Sequence, residues 1–170
     1  MTKNSLTKTL KILVSGGGTG GHIFPAIAII EALKKQANIE VLFVGADGRM
    51  EMEKVPACGY KIIGLPIAGF QRSLSVSNFI KNIQLPFKVV VSLFKVLGII
   101  HKFKPDVAIG TGGYASAPTL KMAQWMGVPT FIQEQNALPG KTNLFLSSAA
   151  KCVFVSYEES KKFFAKTEVI

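Results

Sequence analysis

The residues with the clearest capacity for chemistry lie in one glycine-rich segment, Ser15-Gly16-Gly17-Gly18-Thr19-Gly20-Gly21-His22. It follows a short apolar run at residues 11–14 and precedes an apolar stretch, 23–33, that is typical of a buried helix. Glycines between a strand and a helix let the backbone turn sharply and approach a ligand closely. The N–H groups at the start of the helix then face that ligand and favour an anion such as phosphate.

A second glycine loop repeats this arrangement. Gly110-Thr111-Gly112-Gly113-Tyr114 lies between a predicted strand at 106–109 and a predicted helix at 117–126. Another predicted strand, 128–132, ends in the polar run Gln133-Glu134-Gln135-Asn136. The carboxyl ends of parallel strands meet at one edge of an open α/β sheet, where such folds bind ligands. The two loops and the polar run therefore predict an extended anionic ligand at this edge.

Apolar runs typical of buried strands alternate with helical patterns along the whole chain. This alternation predicts a doubly wound parallel sheet of the α/β class. With 170 residues the chain suits one domain with a full core, which we place at residues 1–170. A further predicted strand begins at 168–170, so we expect a domain of a longer protein. The six earlier predicted strands are 11–14, 40–44, 60–65, 106–109, 128–132 and 152–155.

The charge of the chain is unevenly distributed. Lysine and arginine number 20 against 10 aspartates and glutamates, which gives a formal net charge of +10. No acidic residue lies between Glu53 and Asp106, and this acid-free stretch points to an anionic surface or ligand. Its basic residues are Lys54, Lys61, Arg72, Lys81, Lys88, Lys95, Lys102 and Lys104.

Within this stretch, four lysines recur every seven residues: Lys81, Lys88, Lys95 and Lys102. The spacing predicts a helix over 78–104 with the lysines on one face, which Pro86 begins or kinks. Its apolar runs are shorter than the roughly 20 residues that span a bilayer. Two interpretations stay open: a buried crossover helix with a solvated lysine stripe, or a helix whose exposed start lies on an anionic membrane surface. Residues 1–9 are typical of neither a secretory signal nor an anchor.

Two common phosphate loops can be compared with the first glycine segment. The loop that binds nucleoside triphosphates ends in Gly-Lys-Ser/Thr, and the sequence has no such ending. The dinucleotide fingerprint Gly-x-Gly-x-x-Gly is satisfied by residues 16–21, and Asp47 after the second strand is a possible ribose ligand. A nucleotide-cofactor module therefore remains an alternative, although it gives His22 no role.

Metal and nucleic-acid functions find little support in the residue pattern. Cys58 and Cys152 lie in no metal-ligand spacing, and no carboxylate cluster suggests a metal site, so we expect neither a metal nor a cofactor. A basic nucleic-acid binder is the non-enzymatic alternative. Apolar residues surround the lysines, however, and no nucleic-acid motif is present.

Taken together, four motifs resemble the MurG family, the bacterial N-acetylglucosaminyltransferases of peptidoglycan synthesis. They are Gly17-Gly18-Thr19-Gly20-Gly21-His22, Phe24-Pro25-Ala26, Gly112-Gly113-Tyr114 and Glu134-Gln135-Asn136, in the family's order and spacing. The family fold, called GT-B, is a pair of Rossmann-like domains, and the resemblance covers only the N-terminal, acceptor-side one. It implies that the C-terminal domain, which holds most of the UDP-sugar, is absent here and that this fragment alone is inactive.

The resemblance also implies a reaction and its partners. Family members transfer GlcNAc from UDP-GlcNAc to the C4 hydroxyl of lipid I, undecaprenyl-pyrophosphoryl-MurNAc-pentapeptide, with inversion and without a metal, to give lipid II. They are peripheral proteins at the cytoplasmic face of the bacterial inner membrane. The acceptor subunit of a split, two-chain glycosyltransferase is the alternative that this resemblance leaves open.

Site residues follow from the matched motifs. By this resemblance His22 is the candidate catalytic base, which takes the proton of the attacking hydroxyl, and its place at a helix start should keep it ready to accept one. The alternative is a histidine that only caps or orients the loop. The candidate substrate contacts are Thr19, Gly20 and Gly21 through their backbone, Asn136 toward the donor, and Glu134 and Tyr114 on the acceptor side or in loop support. Gly112 and Gly113 are further candidate substrate contacts.

Overall fold

A computed structural model of the chain describes residues 8–69, 83–164 and 167–170. Arg72 and Lys81 of the basic stretch lie outside the described residues. The strands are β1 (Leu10–Gly16), β2 (Ile39–Ala46), β3 (Lys61–Leu65), β4 (Val107–Gly112), β5 (Thr130–Glu134) and β6 (Cys152–Val155). The helices are α1 (Gly20–Lys34), α2 (Glu51–Ala57), α3 (Leu85–Phe103), α4 (Ser116–Trp125) and α5 (Lys141–Ser147), followed by a 3₁₀ helix at Glu158–Phe163.

The strands form one parallel sheet in the order β3-β2-β1-β4-β5-β6. This arrangement confirms the predicted doubly wound α/β fold. The order reverses between β1 and β4, because β2 and β3 lie on one side of β1 and the later strands lie on the other. At such a switch point the loops after the two central strands diverge and leave a crevice at the carboxyl edge of the sheet.

Both faces of the sheet are covered by helices. Ile12 of β1 packs on one side with Ile23 of α1 and Val55 of α2, all fully buried. Leu13, the next residue along β1, points to the opposite side and packs in the cluster that contains Val96 of α3. Burial on both faces explains why the strand is continuously apolar instead of alternating.

Local sequence explains the bounds of α3. Pro86 lies in its first turn, where the missing N–H costs nothing, so the proline is compatible with the start of this helix. The helix ends at Phe103. The next residue, Lys104, adopts a left-handed conformation with φ of 54°, and Pro105 then cannot continue the helix. Residues 78–82 of the predicted helix 78–104 lie outside the described residues, and within 83–104 the helix spans Leu85–Phe103.

Strand ends differ from the predicted ones in a consistent way. β4 and β5 continue beyond their apolar residues to Gly112 and Glu134, which pair with Gly16 and Val155 of neighbouring strands. Prediction from apolar runs stops too early here, since these glycine and polar residues belong to the edge that faces the crevice. The strand predicted at 168–170 is a single parallel bridge between Val169 and Val153.

Candidate functional site

The start of α1 offers unpaired backbone donors. Thr19 precedes the helix in an extended conformation, and no side chain caps it. The carbonyl of Thr19 accepts from the amides of His22 and Ile23, at 3.1 and 3.2 Å. The amides of Gly20 and Gly21 have no hydrogen-bond partner in the described part of the chain, and no acidic residue lies in the first turn. This helix start therefore favours an anion.

The two glycine loops touch each other through their backbones. The amide of Gly17 donates to the carbonyl of Gly112 at 3.3 Å. Gly113 has a φ of 91°, and a Cβ there would lie 2.2 Å from the carbonyl oxygen of Gly17. Glycine at this position is therefore required both by the conformation and by the space.

A buried carboxylate that belongs to none of the sequence motifs supports the first loop. Glu51 of α2 is fully buried, and its two oxygens accept from the amides of Gly18 at 2.9 Å and Ala46 at 3.0 Å. A Cβ at Gly17 would lie 2.2 Å from one of these oxygens. Only the position of Glu51 at the start of the helix after β2 could have indicated this role.

His22 lies at the junction of three segments. Its backbone carbonyl accepts from the hydroxyl of Thr111 at 2.7 Å, and its half-buried ring lies against Gly112. Its Nδ1 is 2.5 Å from Nε2 of Gln135, just after β5. The ring is thus fixed between the second glycine loop and the polar run, while one side of it faces open space.

That open space is a cleft of about 850 Å³ at the carboxyl edge of the sheet. Its lining contains two cations, Arg49 and Lys141, neither of which has an ion-pair partner among the described residues. None of the lining residues is an aspartate or a glutamate. The cleft is lined by Gly17, Gly18, Thr19, His22, Arg49, Gly112, Gly113, Tyr114, Gly140, Lys141, Thr142 and Asn143.

The motifs in the sequence identify neither of these two cations. Arg49 follows β2, and Lys141 begins α5 just after β5, so both come from segments that leave the carboxyl edge. Both residues lie outside the glycine motifs in the sequence, so the motifs do not indicate that they reach the cleft. Asp47, the possible ribose ligand, is exposed and does not line this cleft, although it lines a smaller pocket that also contacts Arg49.

The side chain of Glu134 forms hydrogen bonds with the loop that follows β5. The carboxylate is buried and accepts four hydrogen bonds at 2.9 Å, from the amide and side chain of Asn136, the amide of Gly140 and the side chain of Asn143. The exposed Asn136 therefore lies at the edge with its amide nitrogen turned onto Glu134. These bonds fix the shape of the loop between β5 and α5.

The structure brings most of the predicted contacts to one place. Five of them line the cleft: Thr19, His22, Gly112, Gly113 and Tyr114. The ring of Tyr114 lies against Gly69 and is about half exposed. The other four lie at the same edge but outside the lining, namely Gly20, Gly21, Glu134 and Asn136. The contact of each with a substrate stays a prediction.

Within the described ranges, no group of three His, Cys, Asp or Glu side chains is placed to hold a metal.

Comparison with known proteins identifies the family of the chain. The profile of the glycosyltransferase family 28 N-terminal domain matches residues 12–155. The UDP-N-acetylglucosamine--N-acetylmuramyl-(pentapeptide) pyrophosphoryl-undecaprenol N-acetylglucosamine transferase of Phocaeicola vulgatus is 52% identical over 97% of this chain, which covers 43% of that relative. The protein of the same name from Christiangramia forsetii is 54% identical over 95% of the chain and 43% of the relative. The chain thus spans less than half the length of these relatives.

Solved structures give the same result. MurG of Acinetobacter baumannii superposes with a TM-score of 0.75 at 28% identity, over 94% of this chain and 45% of that one. A UDP-GlcNAc 2-epimerase from Neisseria meningitidis superposes with a TM-score of 0.64 at 16% identity, over 94% of this chain and 45% of that one. At this identity the similarity shows a shared fold alone. The resemblance to the MurG family is confirmed. The chain belongs to glycosyltransferase family 28, whose N-terminal domain it contains.

Proposed function

We propose that this chain is the acceptor-side half of an enzyme that transfers N-acetylglucosamine from UDP-GlcNAc to the undecaprenyl-pyrophosphoryl-linked muramyl sugar of lipid I. The names of relatives that are 52–54% identical to it support this activity. Those relatives are more than twice as long, so we assign the UDP-sugar to a second domain that closes over the cleft.

The observation that carries the proposal is the chemical character of the cleft. Its lining contains two cations without an ion-pair partner among the described residues and contains no carboxylate. The unpaired amides of Gly20 and Gly21, at the start of α1, lie at the same edge of the sheet next to the lining residue Thr19. Such a surface stabilises a pyrophosphate through backbone donors and point charges. Both proposed substrates carry a pyrophosphate, and the cleft has room for part of one beside His22.

His22 is the proposed base. As the C4 hydroxyl oxygen attacks the anomeric carbon of GlcNAc, its proton passes to the imidazole, and the bond from that carbon to the UDP oxygen breaks. Arg49 and Lys141 then face the negative charge that develops on the leaving group or remains on the acceptor. A base positioned in this way contributes typically about 10²–10⁴ to a rate.

The membrane is the second proposed partner, on the basis of α3. Exposed apolar side chains follow one stripe of this helix, with Phe87 and Phe94 72% and 69% exposed. Lys88, Lys95 and Lys102 flank the stripe. In the described part of the chain, no helix combines the length and hydropathy that crossing a bilayer requires. We propose that the stripe rests on the anionic cytoplasmic face of the bacterial inner membrane.

The test is a transfer assay on the full-length parent protein with UDP-GlcNAc and a lipid I analogue. We expect turnover in the wild type, a decrease of about 10²–10⁴ in His22→Ala, and no change in His101→Ala, which removes the exposed histidine of α3. His22→Gln should be as inactive as His22→Ala, and activity retained in His22→Gln would contradict the assignment of His22 as the base.

The transfer activity of the 170-residue fragment should stay at background. Selective binding of NAD over UDP-GlcNAc by the parent would favour the nucleotide-cofactor module instead.

A further inference from the structure

The contact between Gln135 and His22 has a chemical consequence beyond fixing the ring. Nε2 of Gln135 lies 2.5 Å from Nδ1 of His22, and Gly112 lies against the same side of the ring. Nδ1 is therefore directed into the protein. Since His22 lines the cleft, the ring nitrogen left to meet a ligand is Nε2, which has no partner among the described residues.

The orientation of the Gln135 amide decides what His22 can do. If the NH₂ group donates to Nδ1, a neutral imidazole carries its hydrogen on Nε2 and cannot accept a proton from the cleft. If the amide is turned by 180°, its oxygen accepts from Nδ1–H, and Nε2 presents a lone pair. The two orientations place the heavy atoms almost identically. In the first, the buried oxygen of Gln135 has no hydrogen-bond partner.

We propose that Gln135 holds His22 with the hydrogen on Nδ1, its amide oxygen accepting that hydrogen, and so makes Nε2 the proton acceptor. Gln135 is then a positioning residue for the base, an inference that rests on the proposed function. The surrounding charge favours this tautomer, because His22 shares the cleft lining with Arg49 and Lys141 and with no carboxylate, and the start of α1 adds the positive end of a helix dipole. On that side of the ring, a lone pair on Nε2 is therefore more stable than an N–H group.

The neutral side chain suits a site for an anion. A carboxylate beside the histidine would fix the same tautomer but would add negative charge next to the pyrophosphate. Glu134, the adjacent carboxylate, cannot take this role because its oxygens already accept four hydrogen bonds. Gln135 thus orients the base and leaves the cleft with its net positive lining.

The tautomer can be measured directly on the 170-residue chain by long-range ¹H–¹⁵N correlation of the imidazole rings. His22 and His101 are the only histidines, and the exposed His101 provides an internal reference in the same spectrum. At about pH 8.5, where ordinary imidazoles are neutral, we expect His22 with its hydrogen on Nδ1 and His101 mainly on Nε2. An Nε2–H signature for His22 in the wild type overturns the proposal, whatever the variants do.

Two substitutions of similar size separate the roles. In Gln135→Glu the side chain can only accept, so the Nδ1–H tautomer should persist. In Gln135→Met the side chain offers no donor and only a weakly accepting sulfur, so His22 should shift toward the mixture shown by His101. An unchanged His22 tautomer in a folded Gln135→Met variant would also overturn the proposal, and the amide spectrum reports whether the variant is folded.

Kinetics of the full-length parent give the second measurement. Gln135→Met should lower kcat by about 10–100-fold with little change in KM, whereas Gln135→Glu should mainly raise KM, because its charge repels the substrates. Equal kcat in Gln135→Met and wild type would contradict the positioning role. If the wild-type tautomer is Nδ1–H but the parent transfers no sugar, the proposed function fails and the tautomer assignment stands. The converse result, transfer with an Nε2–H histidine, overturns the role of Gln135 and the assignment of His22 as the base, and the proposed transfer activity stands.

Discussion

Gly17 and Gly113, 96 residues apart in the sequence, meet with their backbones in direct contact, and no side chain fits between them. The two glycine loops therefore form a single structural unit, in which the position of one depends on the other. The hydrogen bond from Gly17 to Gly112 completes this contact.

Gly113→Ala should separate the loops. The new Cβ would lie 2.2 Å from a backbone oxygen, so the chain must shift, and a left-handed alanine adds strain of about 1–2 kcal/mol. Gly127→Ala is the matched control, because Gly127 also has a positive φ, 74°, but no atom within 4 Å of the added Cβ. Urea unfolding should show a clearly larger loss of stability for Gly113→Ala. Equal losses would mean that the loops tolerate separation.

Glu51→Gln should destabilise the first glycine loop. One of the two oxygens becomes an NH₂ group that faces a backbone N–H, so a buried donor loses its acceptor. We expect the free energy of unfolding to fall by about 1.5–3 kcal/mol. Glu53→Gln, on the exposed side of the same helix, should stay within about 0.5 kcal/mol of wild type. Similar values for the two variants in urea titrations would refute a supporting role for Glu51.

Asp106 should make stability depend on pH in the acid range. The amide of Lys11 and, secondly, the ammonium of Lys8 donate to this carboxylate at 2.8 and 2.6 Å and lower its pKa. A carboxyl with a lower pKa in the folded state stabilises the fold above its unfolded value and loses that contribution as the pH falls.

The measurement compares urea midpoints of wild type and Asp106→Asn from neutral pH downward. The difference between them should be largest above about pH 4, the usual range for an unfolded aspartate, and should shrink as the pH falls below it. Asp47→Asn, at an exposed aspartate, provides the control. If the difference between the urea midpoints of wild type and Asp106→Asn did not depend on pH, the ionised carboxylate would be excluded as its cause.

Vesicle co-sedimentation tests the membrane proposal. Binding to vesicles with anionic lipid should exceed binding to neutral vesicles and should weaken with salt, because each lysine at the surface contributes about 1 kcal/mol. Replacing Lys88 and Lys95 with glutamate should lower the partition coefficient by about tenfold or more. Lys81, in the same sequence repeat, lies outside the described residues.

The apolar stripe has its own variant. Phe87→Ser combined with Phe94→Ser should also reduce binding by about tenfold or more, since each ring loses its burial in the bilayer. Phe163→Ser, at an exposed phenylalanine of the 3₁₀ helix, should bind like wild type. Equal binding by all these proteins to anionic and neutral vesicles would leave α3 as a solvated helix face.

Local sequence predicted the sheet and both glycine loops because a buried parallel strand, a glycine turn and a helix start are encoded by neighbouring residues. It could not predict that Glu51 holds the first glycine loop or that Arg49 and Lys141 line the cleft, because only the sheet order brings these segments together. The contact of Gln135 with His22 crosses 113 positions and depends on how β5 aligns beside β4. The spacing of residues within one motif does not indicate which distant residues of the chain come into contact.

The course of α3 relates the cleft to the bilayer. Lys88, near the start of the helix, shares a pocket with Arg49, whereas Lys102 near its end lies beside the amino ends of β2 and β3. The start of α3 is therefore at the same end of the domain as the glycine loops. If that end faces the membrane, a substrate tethered to undecaprenol would reach the cleft by lateral diffusion. Its rate of encounter would then follow the surface density of the lipid, and dilution of the surrounding solution would leave it unchanged.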